Sequence, residues 1–404
     1  MKSKDLSNDL SFKWSSSISE IPNSAWENIF GKSIIKSQLF FQAIEHSEFA
    51  EVSYHYLQIC KHGTILSIVP CFCYELNFLN LTTSSTAKKI IKIIRKIYPS
   101  FFKIKAFVTG TYAASCEHFI EYATDISLED KNLVAQLIDL QLKDKSKATG
   151  AKFIFIKDVR ERGINHVKQI LNKDFIFFVS FPTAAIPILP NCVYPQALKK
   201  KNRKRYKTYT EKFDKEFRWE IVTDFGGKYA HEFMELYQNV LDKAKNKFEF
   251  LNERFFNNIN IEFPGKSFLL VAKSHDGETR LMELVLEEED KLIPLYIGIK
   301  YKTDDTKILY LNAIFRTIKE ADARNKSFVD FGQTSYYPKV MSGALVENIY
   351  YGFWSDRFLL KWLINHIFQK IFLPPAILES VYLETYKNEA CQILEDKGFT
   401  LLNK

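Results

Sequence analysis

The chain has 404 residues, 46% of them hydrophobic and 26% charged, which excludes wholesale disorder and leaves room for two or three domains. Its net charge of +8 is local: Lys199–Lys207 carries seven positive side chains and no acid, and the rest of the chain is close to neutral, so a protein basic throughout is excluded. Six sparse cysteines and an N-terminus without an apolar signal region fit reduced thiols of a cytoplasmic protein.

In chain order, apolar spacing predicts a helix over Ser37–His46. A β-hairpin follows over Tyr54–Glu75, turning at Lys61-His62-Gly63-Thr64. Helices are expected at Ala87–Tyr98 and Ser127–Lys147, and strands at Lys152–Lys157 and Phe175–Phe181. Phe175–Leu198 runs without a charge for long enough to suggest a membrane span, but Pro182, Pro187, Pro190 and Pro195 break any continuous helix. The stretch Pro182–Pro195 therefore reads as an extended linker, dividing the chain into domains 1–190 and 191–404. A second apolar run, Phe358–Leu373, carries Lys361, His366 and Lys370 and reads as amphipathic, so no integral membrane segment is expected.

Beyond the linker a strand at Arg218–Thr223 leads to helices at His231–Lys245 and Asn252–Asn260. A hairpin, Ser267–Lys273 with Thr279–Glu287, is followed by strand Leu292–Lys300, helix Leu309–Asn325, and strands Phe328–Phe331 and Val346–Phe353. Both halves thus contain a helix, a Gly-turned hairpin and a later helix leading into a strand. The phrase Tyr56–Thr64 loosely echoes Phe268–Thr279, as a degenerate internal duplication would.

Several chemistries have no support. Cys60, His62, Cys71 and Cys73 resemble a zinc set, but hairpin pairing separates the two cysteine positions by roughly 20 Å at ~3.4 Å per residue, and no metal site is expected. The chain has no His-Glu-x-x-His, Gly-x-Ser-x-Gly, Walker or Gly-x-Gly-x-x-Gly pattern.

Three features point to a site. Glu283 falls on an otherwise apolar strand face, where burial would raise its pKa towards that of a general base; a paired structural Glu or an edge charge is the alternative. Pro294 and Gly298 flank Leu295-Tyr296-Ile297, which predicts a bulge or an edge whose free amides an extended ligand arm could pair with. The run Asp330-Phe331-Gly332-Gln333-Thr334-Ser335-Tyr336-Tyr337-Pro338-Lys339 leaves a strand with Asp330, Gln333, Ser335, Tyr336 and Lys339 available to line a site, or forms a packed turn capped by Asp330. The basic run is either a solvated helix face or a phosphate-binding patch for tRNA or an anionic membrane surface.

The phrases Ser37-Gln38-Leu39-Phe40-Phe41-Gln42-Ala43-Ile44-Glu45, Lys201-Asn202-Arg203-Lys204-Arg205, Leu295-Tyr296-Ile297-Gly298, Asp330-Phe331-Gly332 and Tyr337-Pro338-Lys339, in this order over residues 20–370, resemble the FemAB-like group of the GNAT (acyl-CoA N-acyltransferase) superfamily. That resemblance implies an α/β fold of tandem GNAT-like domains, each a mixed, mostly antiparallel sheet flanked by helices, with the C-terminal one carrying the donor site. It implies an N-acyltransferase with no bound cofactor, taking an acyl group from acyl-CoA as co-substrate and passing it directly to a small-molecule or peptide amine. Glu283 or Asp330 would then take the amine proton, Tyr296 or Tyr336 would protonate the leaving group, and Lys339 with backbone amides would hold the oxyanion. Ile297 and Gly298 would receive the pantetheine arm, Lys302 and Lys307 would face the pyrophosphate, and Gln333 and Ser335 would complete the donor site. The family's Gly-rich pyrophosphate loop is missing between Ile299 and Leu309, as it is in Fem-type enzymes that use aminoacyl-tRNA. An aminoacyl-tRNA co-substrate, bound through Lys199–Lys207, and a non-catalytic binding protein are the two alternatives. The helical-hairpin arm of some Fem-type enzymes is absent, and the oligomeric state is left open.

Overall fold

The computed structural model describes residues 9–77, 89, 92–96, 103–114, 117–244, 247, 249–301, 305–333, 335–368 and 375–404. Cys116, Lys302 and half of the helix expected at Ala87–Tyr98 lie outside the described residues. The chain forms two compact units. Unit 1 comprises Met1–Ser180, Lys245–Phe250 and Tyr350–Leu373, and unit 2 comprises Phe181–Ala244, Leu251–Ile349 and Pro374–Lys404.

Unit 1 is built on β1 (Leu10–Ser15), β2 (Ser53–Lys61), β3 (Thr64–Asn77), β4 (Lys103–Thr109), β6 (Phe153–Arg160), β15 (Ile349–Trp354) and β7 (Ile176–Val179), in that spatial order, with β5 (Glu121–Tyr122) paired to β3. Unit 2 is built on β9 (Phe217–Val222), β10 (Ser267–Ser274), β11 (Thr279–Glu287), β12 (Lys291–Ile299), β13 (Phe328–Gly332), β8 (Thr183–Pro187) and β14 (Leu345–Glu347). The two sheets match position by position, and in each the sixth strand comes from the other half of the chain. The hairpins β2–β3 and β10–β11, where the two loosely similar phrases lie, occupy the same second and third places.

This exchange corrects the expected boundary at residues 190 and 191. The division falls at Ser180 and Phe181, because the Pro-punctuated stretch is not a linker: β8 lies inside it, fully buried, paired antiparallel to β13 on one side and β14 on the other. Its prolines sit just before and at the last residue of the strand, where a missing N–H costs least. The single strand expected at Val346–Phe353 is likewise two, divided at Asn348, with β14 in one sheet and β15 in the other.

Helices cover the sheets where the sequence provides caps. In unit 1, α1 (Asn23–Phe30), α2 (Gln38–His46), α3 (Leu128–Ala148), α4 (Ile164–Ile170) and α10 (Phe358–Leu363) are present. The Ser37 and Ser127 side chains each accept the backbone N–H three residues on, in the first turn of their helices, from Phe40 and Asp130. In unit 2, α5 (Lys200–Glu216) and α8 (Thr306–Ala323) pack on one face of the sheet, against Leu270, Leu281, Val285 and Ile299. Helices α6 (Lys228–Lys243) and α7 (Glu253–Glu262) lie on the opposite face, and α11 (Glu384–Asp396) covers that face at the β8 end. A short helix, α9 (Tyr336–Met341), follows β13. No helix among the described residues is long and apolar enough to cross a membrane.

In the cysteine-rich hairpin Cys71 and Cys73 are buried and Cys60 is half-buried. Cys60 lies opposite Ile65, and a bulge beside Cys60 brings Cys71 opposite His55, well along β2. Cys60, Cys71 and Cys73 are free thiols.

Candidate active site in unit 2

The site grows from a defect in the second sheet. β12 pairs antiparallel with β11 from Ile299 to Glu287, but the register slips between Tyr296 and Pro294, leaving Leu295 as an extra residue. This is the bulge that Pro294 predicts. On its other side β12 pairs in parallel with β13 only at Lys291 with Phe328 and Leu292 with Val329. Past that point β12 follows β11 while β13 follows β8 as far as Gly332, so the two strands part and no further ladder pair joins them among the described residues.

Glu283 stands beside this opening. It shares a face of β11 with Leu281 and Val285, beneath α8, and is 6% exposed. Thr317 Oγ1, from α8, lies 2.5 Å from Glu283 Oε2 and 3.0 Å from the Ala313 carbonyl. With one hydroxyl proton, Thr317 cannot donate to both; when Glu283 is protonated it donates to the Thr317 oxygen, and the Thr317 hydroxyl donates to the Ala313 carbonyl. Burial lifts the Glu283 pKa to about 7, against the opposing pull of the Thr317 hydrogen bond and the Lys339 charge.

Lys339, in α9, is 4% exposed. Its Nζ donates to the carbonyls of Phe331 at 2.7 Å and Gln333 at 2.7 Å, with that of Gly332 at 3.4 Å. Burial brings its pKa down to about 7, while Asp330 and Glu283 pull the other way. An ammonium has three protons, and three carbonyls stand ready for them, so Lys339 clamps the end of β13 and has no donor to spare for an oxyanion.

Two residues escaped the sequence reading. Tyr310, on α8, hydrogen-bonds Ser335; burial raises its pKa to about 12, and nearby Glu283 adds to the rise. Tyr310 and Thr317 lie seven residues apart on one face of α8, a polar interruption of an apolar stripe, and that spacing is the signal that could have found them. Ser335 is exposed and left-handed, with φ 44°.

The other expected residues divide by face. Strand register pairs Leu284 with Tyr296 and Met282 with Gly298, so both sit across the sheet from Glu283, whereas Ile297 pairs with Glu283 itself. Tyr296 packs edge-on against Tyr237 and Phe255, each with ring centroids 5.8 Å away. Gly298 is demanded by α6: a Cβ there would stand 2.6 Å from Leu236 Cβ and 2.8 Å from the Tyr237 amide nitrogen. Asp330 alternates with Phe331 and so lies on the Tyr296 side of the sheet, half-buried, its Oδ1 accepting the Gly332 N–H at 3.1 Å. Gln333 Nε2 donates to the Phe181 carbonyl at 2.8 Å, and the Tyr336 hydroxyl accepts from Leu378 N–H at 2.8 Å, which leaves the hydroxyl proton free.

At the start of α8, Lys307 is exposed with Nζ 5.5 Å from the Tyr209 ring centroid. Asp305, just before the helix, is buried against Arg280. The basic run opens α5, with Lys200, Lys201, Lys204 and Lys207 exposed, while Arg203 is turned onto the Gln196 and Leu198 carbonyls.

No family model matches the chain, and no curated protein matches it. Among solved structures, FemX shares 12% identity with a TM-score of 0.51, over 88% of this chain and 100% of that one. L-PGS from Bacillus licheniformis shares 10% identity with a TM-score of 0.49 over 86% and 95%, and a tandem GNAT protein from the clavulanic acid biosynthesis pathway 7% with 0.47 over 85% and 98%. The chain is similar in fold to FemX, with two sheets of one plan in a single chain.

Proposed function

We propose that this chain is a cytoplasmic N-acyltransferase whose unit 2 moves an acyl group from an acyl-CoA-type thioester to an amine by direct transfer. The observation that carries the reading is the parting of β12 and β13. Past Leu292, β12 has no ladder pair with β13 among the described residues, which makes room for the extended amide arm of a donor between the strands, beside ionisable side chains.

In the proposed step the amine nitrogen attacks the thioester carbonyl. A C–N bond forms, the C–S bond breaks, and the carbonyl oxygen carries the charge in between. Backbone amides of the β12 edge would hold that oxyanion. Asp330, the half-buried carboxylate at the end of β13, takes the amine proton, and the free proton of Tyr336 goes to the departing thiolate. Glu283 and Lys339 act as positioning residues: they fix α8 and the end of β13 on either side of the opening. No cysteine or serine nucleophile is needed.

A thermal-shift series with acetyl-CoA, long-chain acyl-CoA, free coenzyme A and bulk tRNA tests the reading. The matching thioester, at 100 times its Kd, should add about 2.7 kcal/mol of stability. Asp330→Asn should then lower turnover by about 10²-fold or more with binding retained. Stabilisation by tRNA alone would replace the donor class with aminoacyl-tRNA, and no stabilisation by any of the four would overturn the enzyme reading in favour of a binding protein.

A further inference from the structure

Unit 1 contains a convergent set of side chains that the acyl-transfer reading does not use. His118 lies in the segment between β4 and α3, Glu121 opens β5, and His166 sits in the first turn of α4. Their ligand-type atoms all fall within 4.8 Å of one another. His118 Nε2 is 2.9 Å from Glu121 Oε1, and His166 Nε2 is 3.2 Å from Glu121 Oε2.

At those separations the Glu121 carboxylate attracts both rings, but neither ring nitrogen is well aligned on it for a full hydrogen bond. Both nitrogens of His118 and Nε2 of His166 are buried with no hydrogen-bond partner. An orphaned buried nitrogen is costly, and His118 is only 6% exposed. A tetrahedral zinc ion with ligand bonds of about 2.0–2.1 Å holds its donors roughly 3.3 Å apart, each aimed at the ion and not at its neighbour. Nitrogens and carboxylate oxygens about that far apart, poorly aligned for mutual hydrogen bonding, fit that arrangement.

The surroundings fit as well. Gly163 makes room for the His118 ring: a Cβ at 163 would land 2.3 Å from Cε1 and 2.6 Å from Nδ1. The nearby cations Lys36, Arg160 and Arg162 all pair with Glu117, which leaves the Glu121 carboxylate to the two imidazoles. His166 and Glu121 are half-exposed residues, so the cluster lies close to the surface of unit 1 although its ring nitrogens are buried.

We propose that His118 Nε2, Glu121 and His166 Nε2 form a binding site for one Zn²⁺ ion, with water in the fourth position. The ion ties the segment after β4 to the start of α4. The proposal stands apart from the acyl-transfer reading, since its ligands all belong to unit 1.

The test uses the full chain, stripped with a chelator, dialysed against Zn²⁺ and then against buffer, with metal counted by elemental analysis and Co²⁺ used as an optical probe. One ion per chain and the intense visible band of four-coordinate Co²⁺ are expected. His166→Gln, at a half-exposed position that tolerates change, and Glu121→Gln, which keeps the shape but removes the charge, should each weaken binding at least tenfold. His231→Gln, which removes an exposed histidine beside Glu253 in unit 2, should leave the count at one. Zn²⁺ retained equally by wild type and His166→Gln, lost with His231→Gln, or not retained at all would each overturn the proposal.

Discussion

The two sheets have one plan and differ at one place. In unit 1 the fourth and fifth strands, β4 and β6, run in parallel through four consecutive pairs, from Ala106 with Phe153 to Thr109 with Ile156, and β4 keeps an unbroken register with β3. In unit 2 the equivalent strands, β12 and β13, share two pairs and then part, and β12 carries a bulge. The connection that follows differs too. Eighteen residues separate β4 from α3 and hold His118 and Glu121, whereas six residues ending at Asp305 join β12 to α8. A duplicated sheet thus stays zipped in one copy and opens in the other. The opening goes with a bulge-forming proline and a helix pressed close at Gly298, and the zipped copy is where the histidine cluster has room.

The largest expected effect comes from the ion pair at the short connection. Arg280 and Asp305 have side chains only 9% and 10% exposed and face each other. Asp305→Asn would leave the buried guanidinium with only the longer 3.9 Å contact to Glu278 as counter-charge, and unit 2 should lose about 3 kcal/mol. The double change Arg280→Met with Asp305→Leu should recover most of it, because two apolar groups carry no such penalty. If Asp305→Asn unfolds at the wild-type denaturant midpoint, the short connection is not what secures the start of α8.

Next in size is Gly298→Ala. The added methyl meets α6 at 2.6 and 2.8 Å, the second contact being backbone, so helix or strand has to move. A cost of about 1–3 kcal/mol is expected. Gly63, at the β2–β3 turn of unit 1, has open space for a Cβ, but its φ of +83° makes the same change there a backbone effect instead of a clash. Donor binding should weaken in Gly298→Ala and stay unchanged in Gly63→Ala; equal behaviour would separate the bulge from the site.

A third effect is read in pH. Glu283 has its folded pKa raised to about 7 from 4.5, so between those values the folded state keeps a proton that the unfolded state has released, and stability falls as pH rises. Lys339 has its folded pKa lowered to about 7 from 10.5, so above 7 the unfolded state holds the extra proton and stability rises with pH. Unit 2 should therefore be least stable near pH 7, with slopes of up to about 1.4 kcal/mol per pH unit on either side. Glu283→Gln should flatten the acid limb alone and Lys339→Met the alkaline limb alone, in urea melts across the range. A single limb lost in both variants would mean the two groups titrate as one.

Much of unit 2 was legible because its elements are regular and locally signalled. Alternation put Glu283 on an apolar face, Pro294 marked the bulge, and Asn252, like Ser37 and Ser127, announced a helix start. What stayed hidden depends on distant partners. β8 read as linker because its prolines are tolerated only once β13 and β14 fix which amides are needed. β14 and β15 read as one strand because nothing local says that Asn348 divides two sheets. Tyr296 read as a companion of Glu283 because the relative phase of β11 and β12 is set by the register around Leu295, which no single strand reveals. His118, Glu121 and His166 are brought together by β5 and α4, and the 44 residues between Glu121 and His166 give no ligand spacing to recognise.

The smallest effect concerns how the two crossover helices begin. Ser127 accepts the Asp130 N–H at 3.1 Å and also donates to the Asp130 carboxylate at 2.8 Å, which in turn takes the Lys61 ammonium at 2.7 Å. Asp305, at the same place before α8, makes no side-chain cap bond, since its carboxylate is turned to Arg280. Ser127→Ala should therefore cost unit 1 about 1 kcal/mol, and slightly more if Asp130 loosens its hold on Lys61. No equivalent loss is available in unit 2, where the first turn of α8 receives nothing from its cap residue to lose. Donor stabilisation measured in Ser127→Ala should match wild type, because the closed copy of the sheet is not asked to bind. A change in that stabilisation would show that the zipped strands of unit 1 contribute to donor binding after all, and the contrast between the two sheets would then be one of degree.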